Sequence, residues 1–328
     1  MNKGKWAILT LSFIFTVILN GCGPENKTIS TDTKSEGKIS VYTTVFPLAD
    51  FTKKIGGNFV DVQSIYPPGV DEHSYEPTQK EIIDMANGDL FFTIGYNLEG
   101  FVKKAKPILE DEGVKVVPVG EQIHLTTHEN ENEHANHSDH SEDEEHEHNH
   151  GDVDPHIWLD PIYSIELANI IKENLIEKMP EQKETFQKNF ESLKTQLEEL
   201  NKQFTEVTNQ AKVKKFIVSH AAYGYWEKRY GLEQLNISGI STSQEPTQKQ
   251  LMAIVDEIKT NQLNYILVEQ NVHNKLVDVI QSETHISTLP IHNLSVLTEN
   301  DLNNGEDYFS LMEKNLKTLK TALNESSD

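Results

Sequence analysis

Histidine is the residue type whose placement in this sequence most directly indicates chemistry. Three of the fourteen histidines, His73, His156 and His220, stand in compact motifs that read EHSYEPT, DPHIWLDP and VSHAAYGYW. Neutral imidazole is a common ligand of zinc, copper and nickel, and several imidazoles together can hold one such ion. Because the motifs lie far apart in the chain, this chemistry requires a fold that brings them together.

The motif around His156 also carries side chains that could support a metal ligand. Asp154 precedes the histidine and Asp160 follows it, with Trp158 between them. A carboxylate that accepts a hydrogen bond from a ligating imidazole fixes the orientation of the ring, and an apolar neighbour excludes water. We therefore expect Asp154, Asp160 and Trp158 to surround and orient His156.

A second group of histidines has a different setting, between Val119 and Asp152, where Glu, Asp and Asn are interleaved with them and no apolar period exists. Such a segment cannot bury a core, so residues 121–151 are predicted to form a surface loop that binds several cations weakly. The alternative is a solvated, charge-rich insertion without a metal role. The histidines concerned are His124, His128, His134, His137, His140, His146, His148 and His150.

The remaining chain alternates short apolar runs, typical of strands, with amphipathic segments, typical of helices. This pattern predicts an α/β fold with mainly parallel sheets in both halves. His73 and His220 follow predicted strands, and ligands of open α/β sheets collect beyond the carboxyl ends of strands. The predicted strands are 39–46, 60–66, 89–94, 114–119, 215–219, 264–269 and 286–291, and the predicted helices include 48–55, 78–85, 246–260, 274–281 with Asn274 as N-cap, and 308–323.

One long amphipathic helix is predicted at residues 181–211, between a first lobe at 38–180 and a second lobe at 212–328. At 1.5 Å per residue it would extend roughly 45 Å, enough to brace two lobes. A coiled-coil dimer is the competing interpretation of its apolar stripe. That stripe consists of Phe186, Phe190, Leu193, Leu197, Leu200, Phe204 and Val207.

The first residues indicate the compartment. Lys3 and Lys5 precede an apolar run that ends in LNGC, with Cys22 as the only cysteine. This pattern predicts a signal peptide at 1–21, and the LNGC sequence resembles the lipobox at which bacterial lipoproteins are cleaved and acylated. We expect an extracytoplasmic protein, anchored to the membrane through lipidated Cys22 and a flexible tether at 22–37. The net charge of −23 argues against nucleic acid as a partner.

The three histidine motifs, in their order and separation, resemble the zinc- and manganese-binding solute receptors of bacterial ABC importers. The resemblance extends from about Lys38 to the C-terminus, includes the stretch SGISTSQEPT at 238–247, and is most specific at DPHIWLDP. It implies two (β/α) lobes joined by one rigid helix, with the metal in the cleft between them and His73, His156 and His220 as ligands. It also implies a monomeric receptor that delivers its cargo to an ABC permease with a separate ATPase.

The fourth ligand position departs from the family pattern. Family members usually carry an acidic residue in a Leu-Glu-Gly-Leu-Thr segment, whereas the corresponding residue here is Ser295. The fourth ligand is thus open between Ser295, water, Glu72, His292 and Glu299. Nitrogen-rich ligation favours Zn²⁺ over Mn²⁺, which prefers oxygen donors.

Two other functions are compatible with a histidine-rich chain. A surface metal buffer or adhesin would use the His-rich loop, and a zinc hydrolase would use three histidines with an open position. We find no HExxH helix and no nucleophile constellation, so we expect no enzyme activity. Glu269 is expected to cap a helix or stabilise a lobe, and His273 and His285 are interpreted as ordinary surface or core residues.

Overall fold

Two parallel sheets, one from each half of the chain, form the framework of the computed structural model, which describes residues 37–125, 153–241, 246–270 and 275–324. The first sheet has the strand order β2-β1-β3-β4, and its strands are all parallel. Its elements are β1 (Ile39–Thr43), α1 (Phe46–Gly56), β2 (Val60–Ser64), α2 (Gln79–Met85), β3 (Leu90–Thr93), α3 (Val102–Asp111), β4 (Lys115–Pro118) and α4 (Pro161–Lys178).

The second sheet repeats this arrangement with the strand order β6-β5-β7-β8, again parallel. The predicted fold class, two α/β lobes with parallel sheets, is confirmed. The elements of this half are β5 (Lys215–Val218), α6 (Gly224–Tyr230), β6 (Glu233–Asn236), α7 (Gln248–Asn261), β7 (Tyr265–Glu269), α8 (Lys275–Thr284), β8 (Ser287–Ile291), α9 (Glu299–Asn304) and α10 (Tyr308–Asn324).

The strands are shorter than the sequence predicts. β1 ends at Thr43 rather than residue 46, because Pro47 stands in the first turn of α1, where its fixed φ and missing N–H suit a helix start. β2 likewise ends at Ser64. The capping box predicted at Thr78 is present, since Thr78 and Glu81 each accept a hydrogen bond from the other's backbone N–H. The predicted N-cap Asn274 lies outside the described residues.

A long helix, α5 (Lys183–Asn209), joins the two halves. Its 27 residues extend about 40 Å, and it packs against α1 and α4 of the first half and against α6 and α10 of the second. The apolar stripe is buried as predicted except at its end, where Thr208 is buried and Val207 is only half-buried. Because the chain itself covers this stripe, the face that a coiled-coil dimer would need is already used.

One continuous apolar core includes residues of both halves and of α5, for example Val41, Leu197 and Trp226. A smaller cluster, which includes Ile254 and Ile280, lies beneath α7 and α8. The shared core therefore fixes the two sheets against each other. Within the described ranges, we find no helix with the length and hydropathy that a membrane span requires.

We predict that Leu197→Ala in α5 destabilises the protein by about 2–5 kcal/mol, because truncating a fully buried leucine removes apolar contacts and leaves a cavity. Glu198→Ala is the matched control. This neighbouring residue is exposed and pairs with Lys194 at 3.9 Å on the helix surface, so its loss should change stability by less than about 1 kcal/mol. Denaturant unfolding of the metal-free protein measures both, and equal losses would contradict the bracing role of the stripe.

Candidate metal centre

Three imidazoles meet between the two halves of the chain. One ligand atom from each of His73, His156 and His220 lies within 4.8 Å of the other two, and His73 is largely buried while the other two are fully buried. The ring centroids of His156 and His220 are 4.9 Å apart, and His73 lies 5.4 Å from each. The structure thus brings together the three histidines that the sequence motifs indicate as metal ligands.

The topology of the second sheet explains where His220 lies. β5 and β7 are neighbours, but the chain leaves β5 toward β6 on one side and leaves β7 toward β8 on the other. Such a reversal opens a crevice at the carboxyl ends of the two strands. His220 follows β5 and Glu269 ends β7, so both side chains lie at this crevice.

The loop after β2 supplies His73. Gly69 adopts a φ of 74°, a backbone conformation that favours glycine, and its N–H donates to the carbonyl of Leu297 at 3.0 Å. The Asp71 carboxylate then accepts the backbone N–H of His73 at 3.1 Å. The loop from the first half is therefore fixed to the second half just before the histidine.

His156 is held by Asp154, as the sequence predicts. Asp154 Oδ1 accepts the backbone N–H of His156 at 3.0 Å and lies 2.7 Å from its Nδ1. Since a carboxylate accepts hydrogen bonds, Nδ1 of His156 is the donor in this pair. Nε2 of His156 is buried without a hydrogen-bond partner among the described residues, and so is Nε2 of His73. Buried nitrogens of this kind fit a metal ion as their missing partner.

Protonation differs between the imidazoles. Burial and the neighbouring rings of His156 and His220 lower the pKa of His73 to about 4, so His73 is neutral at pH 7. Burial is the largest single influence on the pKa of His220 and would lower it, but the Glu269 carboxylate at 3.1 Å from Nδ1, the Ile240 carbonyl and the charge of Glu72 together outweigh burial and raise this pKa to about 9. The carbonyl of Ile240 lies 2.6 Å from the other ring nitrogen. Both nitrogens of His220 therefore face acceptors, as in an imidazolium.

Glu269 caps none of the described helices, and its contacts with His220 and Tyr223 are those of a residue that stabilises the second lobe. Instead of capping a helix, it accepts hydrogen bonds from His220 and from the hydroxyl of Tyr223 at 3.2 Å. Burial opposes ionisation, yet the charge of His220 lowers the pKa of Glu269. Its position at the end of a strand is the signal that could have identified it, because His220 closely follows the neighbouring strand β5.

Asp160 was expected to orient His156, and this prediction is wrong. Its carboxylate accepts the backbone N–H groups of Ile162 and Tyr163, which caps α4, and it also pairs with Arg229 of α6. The sequence Asp160-Pro161 is an N-cap followed by proline at the first helical position, which explains this geometry. Trp158 is fully buried and its ring packs edge-on against His156 at 5.3 Å, so it does shield that histidine.

Helix α6 of the second half also fixes the segment that carries His156. The hydroxyl of Tyr225 donates to the carbonyl of Asp154 at 2.6 Å, and the indole of Trp226 donates to the carbonyl of Leu159 at 2.8 Å. A Cβ at Gly224 would lie 2.9 Å from Asp154 Oδ2, so this glycine leaves room for the carboxylate. The segment that holds His156 thus belongs to the first half but is fixed by the second.

The four candidates for a fourth ligand have different surroundings. Ser295 is buried and its hydroxyl donates to Asn293 Oδ1 at 2.7 Å. His292 is not available, because its Nδ1 accepts the N–H of Leu294 and its Nε2 lies 3.3 Å from Asp301. Glu299 is exposed in the first turn of α9.

Glu72 is the remaining candidate, and it is buried beside the cluster. Its Oε1 lies 3.9 Å from Nε2 of His73, and it accepts a hydrogen bond from Asn293 Nδ2 at 3.1 Å. Burial and the charge of Glu269 raise the pKa of Glu72. Asn293 has no signal in the sequence, because an asparagine in a loop carries no distinctive pattern.

Other predicted site residues lie apart from the cluster or outside the described part of the chain. His124 is exposed at the start of the His-rich loop, and His285 is exposed as well. The described residues do not include Cys22, His273 or the other histidines of the loop, which are His128, His134, His137, His140, His146, His148 and His150.

Comparisons with known proteins identify zinc-uptake and zinc-binding proteins as relatives of this chain. The family model described as ZnuA, zinc-uptake complex component A, periplasmic, matches residues 41–322. The zinc-binding lipoprotein AdcA of Streptococcus pneumoniae is 34% identical over 291 residues, which cover 89% of this chain but 57% of that protein. The high-affinity zinc uptake system protein ZnuA of Bacillus subtilis is 31% identical over 319 residues, which cover 97% of this chain and 98% of that protein.

Solved structures show the same fold. The Zn(II)-bound ZnuA-like domain of Streptococcus pneumoniae AdcA matches with a TM-score of 0.72 and 32% identity, over 88% of this chain and all of that domain. The AdcAII protein of the same species matches with a TM-score of 0.74 and 30% identity, over 88% of this chain and 100% of that chain. This chain spans little more than half of the full streptococcal AdcA, so the resemblance concerns one part of that protein.

We predict that metal loading at pH 7 releases about one proton, because the cation must replace a proton on one nitrogen of His220. Since the pKa of His220 is raised to about 9, the proton is present below that pH, and metal affinity should rise with pH up to about 9 and then level off. Calorimetry in two buffers of different ionisation enthalpy measures the number of protons released.

Glu269→Gln provides the comparison for this measurement. Without the carboxylate, the pKa of His220 should fall, so fewer protons should be released at pH 7. Proton release that is absent in the unaltered chain, or equal in the two proteins, would show that His220 is not the imidazolium described above.

Proposed function

Because this chain belongs to the ZnuA family of periplasmic zinc-uptake components, we propose that it is an extracytoplasmic receptor that binds Zn²⁺ between its lobes and delivers it to an ABC permease. The observation that carries the proposal is the convergence of three buried imidazoles, two of which have an unpartnered Nε2. Since the family consists of uptake components rather than enzymes, a hydrolytic role is set aside.

The donor atoms support zinc as the cargo. Three imidazole nitrogens favour Zn²⁺ over Mn²⁺, which prefers oxygen ligands. Tetrahedral zinc with Zn–N bonds of about 2.0–2.1 Å requires nitrogens about 3.3 Å apart. The three ligand atoms here lie within 4.8 Å of one another, so small shifts of the side chains would be enough to close the site on the ion.

We propose Glu72 as the fourth ligand in place of Ser295. Glu72 supports this assignment because it is buried, carries a carboxylate, and lies beside the unpartnered Nε2 of His73. Asp154 and Glu269 lie closer to a ring nitrogen than Glu72 does, but each of them contacts an Nδ1 atom. A carboxylate in that position orients the histidine and leaves its Nε2 to bind the metal. One carboxylate with three imidazoles completes a tetrahedral set that zinc accepts.

The cellular setting is also part of the proposal. A lipobox-like LNGC sequence and a relative described as a lipoprotein support membrane anchoring through Cys22. We take the lobes as residues 38–180 and 212–328, with 181–211 as the connecting helix. The permease and its ATPase would be separate chains, and the receptor would act as a monomer. The His-rich loop at 121–151 would collect cations near the cleft.

We predict that the mature chain binds one Zn²⁺ tightly and Mn²⁺ much more weakly in a calorimetric titration. His156→Ala should weaken zinc binding at least 100-fold, because it removes a ligand nitrogen together with the hydrogen bond by which Asp154 orients the ring. His285→Ala is the matched control, since this histidine is exposed and lies outside the cluster, and it should leave affinity unchanged. Equal effects of the two substitutions would contradict the proposed site.

Replacing residues 126–151 with a short Gly/Ser linker separates the receptor from a surface metal buffer. The replacement should begin after Leu125, because Ile123 is buried and Glu121 accepts the backbone N–H of Tyr96. A receptor should keep its single tight site and lose only weak binding. Loss of nearly all zinc binding would instead support the buffer, with the lobes as a scaffold.

A further inference from the structure

We propose that Asn293 is the residue that positions the two buried carboxylates of the metal centre, directing Glu72 toward the cation and Glu269 toward His220. This inference rests on the function proposed above, since it assigns a role within the same site. Asn293 is a positioning residue, because its contacts are with the groups that surround the histidines.

The side-chain amide of Asn293 uses both of its N–H groups on these carboxylates. Nδ2 donates to Glu72 Oε1 at 3.1 Å and to Glu269 Oε2 at 3.1 Å. Its Oδ1 accepts the backbone N–H of Ser295 at 3.0 Å and the Ser295 hydroxyl at 2.7 Å. Reversing the amide would place oxygen against two carboxylates and nitrogen against two donors, so the contacts fix its orientation.

Electrostatics explain why a donor is needed at this position. Glu72 comes from the loop after β2 and Glu269 from the end of β7, and both are at most 6% exposed. Two carboxylates that share a buried site repel each other strongly, because little water screens them. An amide that donates one hydrogen to each satisfies an oxygen on both carboxylates and so lowers the cost of keeping them close together.

The backbone of Asn293 extends this link to the third histidine. Its carbonyl accepts the indole N–H of Trp158 at 2.7 Å, and the Trp158 ring packs against His156. Glu72 precedes His73 in the chain, and Glu269 contacts His220. Asn293 therefore contacts a neighbour of each of the three proposed ligands.

The segment around Asn293 is unusually constrained. Leu294 is fully buried with a φ of 62°, a left-handed conformation that is unfavourable for a residue other than glycine. On the other side, the Asn315 side chain bonds both the N–H and the carbonyl of His292, at 2.8 Å and 2.7 Å. Because the surrounding contacts maintain this strained backbone, the direction of the Asn293 side chain is fixed before any metal binds.

The test is a double-mutant cycle on the full mature chain, with Zn²⁺ affinity as the readout. Asn293→Ala and Glu72→Gln should each weaken binding by roughly 10- to 100-fold, and the double variant should lose much less than the product of the two effects. Bound Co²⁺ gives a spectroscopic readout of ligand geometry. The visible spectrum of Asn293→Ala should shift toward that of Glu72→Gln, which a purely structural role would not produce.

Asn189→Ala is the matched control. The Asn189 amide donates to the carbonyl of Ile55 at 2.9 Å, so the same substitution removes a comparable hydrogen bond from α5, which contributes no residue to the cluster. It should lower thermal stability and leave zinc affinity unchanged. If Asn293→Ala does not fold, Asn293→Leu keeps the shape of the side chain without its donors and enters the same cycle.

The outcomes separate this inference from the proposed function. Lack of a tight zinc site in the unaltered chain overturns the proposed function. With that site intact, normal zinc affinity in a folded Asn293 variant, or effects of Asn293 and Glu72 that multiply independently, overturns the positioning role. Non-additive losses with matching Co²⁺ spectra support it.

Discussion

The need to satisfy every nitrogen of a buried imidazole governs this structure. A ring taken out of water loses the hydrogen bonds that water would supply. A ring nitrogen that finds no other partner therefore raises the free energy of the folded state. His220 has Glu269 and Ile240, and His156 has Asp154 on one side. Among the described residues, Nε2 of His73 and Nε2 of His156 find no hydrogen-bond partner, and these two nitrogens point to the chemistry of the cluster. The arrangement is that of a site prepared for a cation.

Meeting that requirement joins the two lobes into one unit. The segment that carries His156 leads into α4, but the hydroxyl of Tyr225 and the indole of Trp226 bond it from α6. The loop that carries His73 is bonded at Gly69 to the carbonyl of Leu297. With α5 packed against helices of both halves and a shared apolar core, the three histidines are fixed by both lobes rather than by one lobe alone.

The sequence predicts the fold and the three histidines because each has a local signal. Strands and helices follow from apolar periodicity, and the histidine motifs are compact.

β6 has no counterpart among the predicted strands, because its sequence Glu-Gln-Leu-Asn is polar and its place depends on pairing with β5. Asp160 stands close to His156 in the sequence but does not orient it, because Asp-Pro is a helix-start signal and the carboxylate caps α4. Contacts such as Asn293 with Glu72 and Glu269 depend on three distant segments, and no local pattern encodes them.

The charges at the centre explain how a metal site can be stable without its metal. Buried carboxylates need a compensating positive charge, or their desolvation is expensive. In the metal-free protein, the proton on His220 supplies that charge beside Glu269, and the amide of Asn293 supplies donors to both glutamates. A divalent cation would bring two positive charges and displace one proton, so the acidic groups would exchange one counter-charge for a stronger one. The second proton of the His220 imidazolium thus supplies positive charge that the cation would otherwise supply. If the cation replaced the proton on Nε2, Glu269 would still accept the proton on Nδ1 and so orient His220 as a metal ligand.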